Sequence, residues 1–350
     1  MLVTAVFYMF SGLGIILHAE DVGLLSSTFS LSSADAAFLL LNICFGAFSV
    51  QIMIQRSLEL KVIARTRQAI WDQIRQTPQE GPYETPDSTV APANWPKDGS
   101  LSLQGVVLRY PASCVPAVNG LTVSVSAGEK ISVVGRTGAG KSSIVVALTR
   151  TVEVEDGVIS FSGVDSAKLG LTQLRGSMSV VSQDPIMFAG SIRRNLDPFS
   201  EYDDERLWRV LASAGLKKPI EFRGGLETEV ADLGENMSLG ERQLLCLARA
   251  LLRDRKLLLL DEATASLDED SERKVLAAVK AEASQATVIQ IAHRLNSVVE
   301  SDRIVVMEKG VAVEVGPPSE LLSKPESLFG KMVDATGPAN ASQLRSKMQK

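Results

Sequence analysis

Gly135-Arg136-Thr137-Gly138-Ala139-Gly140-Lys141-Ser142 sets three glycines, a lysine and a hydroxyl residue at the spacing GxxxxGK[ST]. An apolar strand, Lys130-Ile131-Ser132-Val133-Val134, leads into it, and an apolar segment from Ser143 to Leu148 with helical character leaves it. In that strand–loop–helix setting the glycines let the backbone wrap an anion. Successive N–H groups then point inward at the positive end of a helix. Lys141 would reach the β- and γ-phosphates of a nucleoside triphosphate, and the Ser142 hydroxyl would hold Mg²⁺. Gly135, Arg136, Thr137, Gly138, Ala139, Gly140, Lys141, Ser142 and Ser143 are therefore the candidate phosphate-binding residues.

A second set lies downstream. The continuous apolar run Leu257-Leu258-Leu259-Leu260 predicts a buried parallel strand and ends in Asp261-Glu262. Ligands of open α/β sheets sit at the carboxyl ends of strands, so both carboxylates would emerge beside the phosphate loop. Asp261 suits the Mg²⁺ side, through a water, and Glu262 suits the general base for an attacking water. Capping of the next helix is the competing role for either acid. His293 follows the strand Thr287–Ala292 and is read as a γ-phosphate contact that orients water and Glu262, with a structural histidine as the alternative. Gln183 ends another strand and would bridge Mg²⁺ or water through its amide, or else remain a solvated loop residue. Tyr110 would stack on adenine or be a buried edge tyrosine. Ser238-Leu239-Gly240-Glu241-Arg242-Gln243 opens an amphipathic helix, Gln243–Leu252. Its Ser238 and Gly240 make either a second anion site or an ordinary helix cap. One chain offers no second phosphate for that site, which points to a nucleotide held by another domain.

The elements that must carry these residues are legible in outline. Strands are expected at Ser102–Arg109, Leu121–Val125, Lys130–Val134 and Val158–Phe161, then at Leu257–Leu260, Thr287–Ala292 and Arg303–Met307. Between the two groups, Ser191 to Arg253 is charged and helix-rich. The order is β-rich, then α/β, with a helical insertion.

Ahead of this lies a segment of different character. Met1 to Leu17 and Ala36 to Ile54 carry no charge, and as helices they would be about 26 and 28 Å long, close to a hydrocarbon core. Two spanning segments are thus expected, at 1–17 and 34–54; a signal peptide is the alternative for the first, and buried core helices for both. The connection between them carries Glu20, Asp21 and Asp35, whereas Arg56, Lys61, Arg65, Arg67 and Arg75 follow the second. The positive-inside rule places everything after Ile54 in the cytoplasm. Residues 55–76 continue as a cytoplasmic helical extension, and 77–99 form a Pro-rich linker. The soluble domain is expected over 100–333, and 334–350 as a flexible, frayed tail.

Composition removes other classes. The net charge of -5 comes without any basic stripe, so no nucleic-acid partner is expected. Three widely spaced cysteines lack metal-ligand spacing, and two histidines cannot build a histidine metal centre.

In their order along the chain, the phosphate loop, Gln183, the Ser-x-Gly helix start, Asp261-Glu262 and His293 resemble an ATP-binding cassette (ABC) ATPase. The stretch from Gln183 through Phe199 resembles the C subfamily, the multidrug-resistance-associated exporters. Gly234 to Ser238 and Cys246 to Leu252 look like that subfamily's second nucleotide-binding domain. The resemblance covers about Leu101 to Phe329 and, more weakly, the end of a preceding membrane domain. It implies a P-loop NTPase fold, with a RecA-like α/β core, an antiparallel β subdomain and a helical subdomain, preceded by about two transmembrane helices.

It also implies roles. Lys141 and Ser142 would be the Walker A pair, Asp261 the Walker B acid, Glu262 the catalytic base, Gln183 the Q-loop and His293 the switch histidine. Tyr110 would be the adenine-stacking residue and Ala265-Ser266-Leu267-Asp268 the D-loop. Ser238 and Gly240 would be the signature that meets ATP of the opposite domain. ATP and Mg²⁺ are the implied cofactors. The implied partners are a second nucleotide-binding domain, the remaining transmembrane helices (in the same longer chain or another subunit) and the lipid bilayer. An integral, multi-pass membrane protein with a cytoplasmic ATPase domain follows. Such exporters carry about six helices per membrane domain, so this chain is expected to be a fragment or a truncated product needing partners. An ATP-binding partner without transport activity and a soluble-type ABC ATPase are the alternatives. Two departures stand out: Met237-Ser238-Leu239-Gly240-Glu241 replaces the common Leu-Ser-Gly-Gly-Gln, and the D-loop differs from the usual Ser-Ala-Leu-Asp. Glu241 sets a negative charge near a polyphosphate, which Arg242 would have to offset.

Overall fold

The computed structural model describes residues 33–77, 79–85, 91–92, 94–264, 267–292 and 294–348. The expected span at 1–17 and His293 lie outside these residues, as do Ala265 and Ser266. The chain divides into two units, Met1–Gln79 and Glu80–Lys350.

Among the described residues of the first unit, one helix runs over Ser33–Gln76, 44 residues without a break. The expected span and its cytoplasmic extension are thus one element. No proline or glycine pair interrupts the sequence, Asp35 sits in the first turn and Arg75 in the last, and both charges complement the helix dipole. Among the described residues this is the helix long and apolar enough to cross a membrane. Phe38, Ile43, Phe45 and Met53 are exposed along it, as lipid contact requires. Its polar side chains bond backward instead of seeking water: Asn42 donates to the Phe38 carbonyl at 2.8 Å and Ser49 to Phe45 at 2.9 Å.

The second unit is built on two sheets. Strands β1 (Leu101–Leu108), β2 (Val118–Val125), β3 (Lys130–Gly135), β4 (Asp156–Phe161), β5 (Val164–Asp165) and β6 (Met178–Val181) come first. The short pair β7 (Gly190–Ser191) and β8 (Glu229–Val230) follows, then β9 (Leu257–Asp261), β10 (Thr287–Ile291), β11 (Arg303–Glu308) and β12 (Val311–Gly316). An antiparallel sheet has the order β2-β1-β4-β5, and the main sheet the order β12-β11-β3-β10-β9-β6. The main sheet is parallel except at its edge, where β12 turns back along β11. Helices cover both faces of a parallel sheet, and so Leu257 to Leu260 are all buried.

The helix-rich stretch folds into Ile192–Leu196, Asp204–Ser213, Lys217–Arg223 and Leu239–Leu252, around a core containing Leu207, Leu211, Leu245 and Leu251. A second core fills the space between the two sheets, with Phe161 and Leu148 at its centre.

Two segments are more ordered than their composition suggests. The tail expected to fray from 334 is instead helical over Pro338–Met348 and buries Ala341, Leu344 and Met348 beside Phe329 and Val333. Those three apolar residues sit three and four positions apart, one helix face among polar neighbours. Part of the Pro-rich linker is also fixed. Leu171 and Thr172 donate backbone N–H groups to the Pro82 and Tyr83 carbonyls, both at 3.0 Å. Arg175 grips Glu80 with two bonds of 2.9 Å. Gly170 admits this approach, because a Cβ there would lie 2.3 Å from the Glu84 carbonyl carbon.

Candidate nucleotide site

The phosphate loop leaves the carboxyl end of β3 and turns into the helix Lys141–Leu148. Gly138 and Gly140 adopt left-handed backbone, φ +80° and +94°. At Gly140 the crowding is severe as well, since a Cβ would stand 2.2 Å from the Ala117 carbonyl oxygen. Gly140 caps the helix without any side-chain bond, leaving the first N–H groups facing the loop. Lys141 is 7 % exposed, and its ammonium donates to the Gly135 and Arg136 carbonyls at 3.0 and 3.2 Å. A buried cation at the N-terminus of a helix whose first N–H groups have no side-chain cap suits a polyphosphate anion.

Parallel register brings the second carboxylate set to the same edge. Ile291 of β10 pairs with Val133 of β3 on one side and with Asp261 of β9 on the other. The Ser142 hydroxyl donates to Asp261 Oδ1 at 3.0 Å. Burial, the largest influence, raises the Asp261 carboxyl above its ordinary value; the Ser142 bond opposes it, the Glu262 charge adds to it, and Lys141 opposes it. Glu262 takes left-handed backbone, φ +49°, at the turn off the strand, and its N–H donates to the Ile291 carbonyl at 3.2 Å. A glutamate in that region costs roughly 1 kcal/mol, which the surrounding sheet must hold in place.

The Tyr110 hydroxyl lies 3.1 Å from Ser143 Oγ, so the tyrosine flanks the start of the phosphate-loop helix. Gln183 is exposed, two residues past the end of β6 at the same sheet edge. His293 is outside the described residues; beside it, Ala292 donates its N–H to the Val133 carbonyl and Arg294 donates to Leu267 at 2.7 Å. Asp268 caps the helix that follows, accepting from the Ser271 N–H.

Mg²⁺ prefers hard oxygen ligands and keeps several waters, so it needs few protein donors. The adjoining hydroxyl of Ser142 and carboxylate of Asp261 fit that requirement.

The helix start expected as a second anion site or an ordinary cap has its own geometry. Ser238 caps Leu239–Leu252, where the Glu241 N–H donates to Ser238 Oγ at 3.2 Å and the Ser238 N–H donates to Glu241 Oε2 at 2.9 Å. That reciprocal pair is a capping box. Gly240 packs close, with a Cβ there meeting Leu267 at 3.3 Å. The N–H and hydroxyl of Ser238 bond to Glu241, and its carbonyl accepts from the Arg242 N–H at 3.0 Å. The expected counter-charge is corrected: Arg223, not Arg242, pairs with Glu241, Nη2 to Oε1 at 2.6 Å. Arg242 instead donates to the Leu233 carbonyl at 3.2 Å. Eighteen residues separate Arg223 from Glu241, and no local pattern announces the pair.

Comparison with known proteins extends this picture. A family model described as "ABC transporter" matches residues 118–265. "ABC transporter C family member 3" of Dictyostelium discoideum is 44% identical over 275 residues, which is 77% of this chain and 19% of that protein. "ATP-binding cassette sub-family C member 2" of Rattus norvegicus is 45% identical over 239 residues, 68% of this chain and 16% of the relative. The chain therefore spans less than a fifth of the length of these relatives. A solved structure titled "Structure of a bacterial Atm1-family ABC exporter with ATP bound" superposes with a TM-score of 0.80 at 27% identity, covering 96% of this chain and 57% of the other.

Proposed function

The chain belongs to the ABC transporters, with C-family members as its relatives, and from that premise we propose that its ATPase unit hydrolyses ATP only when closed against a second nucleotide-binding domain. The observation that carries this reading is the adjoining Lys141, Ser142, Asp261 and Glu262 at one sheet edge. In it, the N–H groups of Gly138 to Ser143 and the Lys141 ammonium take the β- and γ-phosphates, and Tyr110 lies under adenine. Ser142, Asp261 and Gln183 would hold Mg²⁺, whose charge would offset that of the phosphates. Glu262 orients and deprotonates the attacking water, and His293 holds the γ-phosphate in line. Ser238 and Gly240 serve the ATP of the partner domain, which the Ser-led helix start supports because its own chain offers it no phosphate.

Hydrolysis then drives rearrangement of membrane helices, those of this chain and those of a longer assembly. The reading puts the ATPase unit in the cytoplasm, which is supported by Arg56, Lys61, Arg65, Arg67 and Arg75 following the apolar stretch in sequence. Glu262→Gln tests the proposal: steady-state ATP turnover should fall roughly 10²–10⁴-fold while ATP affinity stays within about threefold. Unchanged turnover removes Glu262 from the role.

A further inference from the structure

At the third position of the Ser238-capped helix this chain carries a carboxylate. Burial alone would raise the Glu241 carboxyl, but the Ser238 N–H and the Arg223 guanidinium outweigh it and hold the group below its ordinary value. It is therefore ionised at neutral pH. A charge there favours the helix start. It also stands against any polyphosphate approaching Ser238 and Gly240.

Arg223 is the cation in contact. It ends the helix Lys217–Arg223, reaches across to Glu241 Oε1 at 2.6 Å, and is 43 % exposed against 19 % for the glutamate. The other carboxylate oxygen, Oε2, is taken by the Ser238 N–H. The neighbouring Arg242 is turned to the Leu233 carbonyl and supplies no counter-charge contact.

We propose that Arg223 is a positioning residue for the serine-led helix start: it neutralises Glu241 and fixes its carboxylate in the capping box, so that Ser238 and Gly240 can receive a triphosphate. This rests on the reading that the helix start meets the ATP of a partner domain. A half-exposed ion pair is worth little to stability. Its effect belongs instead in the electrostatics of nucleotide capture. Arg223 thus matters because Glu241 is charged, and should cease to matter once that charge is removed.

The experiment uses the full chain in detergent, carrying Glu262→Gln, with ATP-dependent self-association followed by sedimentation. The readout is the ATP concentration at half association. Adding Arg223→Ala should raise it about tenfold, whereas Arg223→Lys should stay within about twofold. Arg223→Ala with Glu241→Gln should return to within about twofold of Glu241→Gln alone, because glutamine keeps the capping box without the charge. No shift in Arg223→Ala, or an equal shift in both glutamate and glutamine backgrounds, overturns the proposal and leaves the two-domain reading intact. Failure of the Glu262→Gln chain to associate at saturating ATP overturns the two-domain reading itself, and the role of Arg223 with it.

Discussion

The hydroxyl of Ser142 donates to Oδ1 of Asp261 at 3.0 Å, joining residues 119 positions apart in sequence. The bond exists because β3 and β9 both flank β10 in parallel register, so their carboxyl ends deliver the two side chains to one edge.

If the two oxygens form one Mg²⁺ donor pair, as proposed, their substitutions should not add. Ser142→Ala and Asp261→Asn are each expected to weaken Mg²⁺-dependent ATP turnover by about 10²-fold. The double variant should be little worse than either, a coupling of about 1–3 kcal/mol. A double-mutant cycle on kcat/KM measures it, and strict additivity would separate the two residues. Removing Mg²⁺ with EDTA should abolish turnover in the parent chain and leave the double variant's residual rate almost unchanged.

Gly140→Ala meets two obstacles at once, left-handed backbone and the Ala117 carbonyl 2.2 Å from the added carbon. ATP affinity should drop at least tenfold by isothermal titration, with a loss of about 1–3 kcal/mol in unfolding free energy. Gly138→Ala, whose Cβ finds open space, should lose less stability despite its positive φ. Equal behaviour of the two variants would show that contact with Ala117 is unimportant.

Acid should loosen the C-terminal helices. Burial pushes the Glu314 carboxyl up, but the N–H groups of Phe329 and Leu328 and the Ser327 hydroxyl pull it further down, leaving it below its ordinary value. A carboxyl depressed in the folded state contributes stability above its unfolded pKa and loses it as pH falls through the folded value. Urea midpoints should therefore decline as pH drops below the usual glutamate range. Glu314→Gln should flatten part of that decline and cost about 1–3 kcal/mol at neutral pH. A pH profile identical in both proteins would refute the linkage.

The legible parts of this chain are those where chemistry restricts residue choice within a few positions. Gly140 and Lys141 are read at once, since left-handed backbone and a phosphate-seeking cation leave few alternatives. The run Leu257 to Leu260 announces its strand for a similar reason, burial on both faces. Ser238 also signals its helix, through a cap and a partner three residues on. What stays hidden depends on distant partners. Arg223 looks like any helix-terminal cation until the fold sets Glu241 against it. Leu344 and Met348 are too sparse to mark a buried face until Phe329 and Val333 supply the surface they cover. Glu80 reads in sequence as part of a Pro-rich linker, and only the position of Arg175 ties it down.

That last attachment sets a load path. Arg175 clasps the chain where it enters the ATPase unit, and the helix bearing it, Leu171–Gly176, passes through Ser177 directly into β6. Tension on the incoming polypeptide would thus reach first the strand whose far end presents Gln183, three strands along the sheet from the one that leads into the glycine cradle.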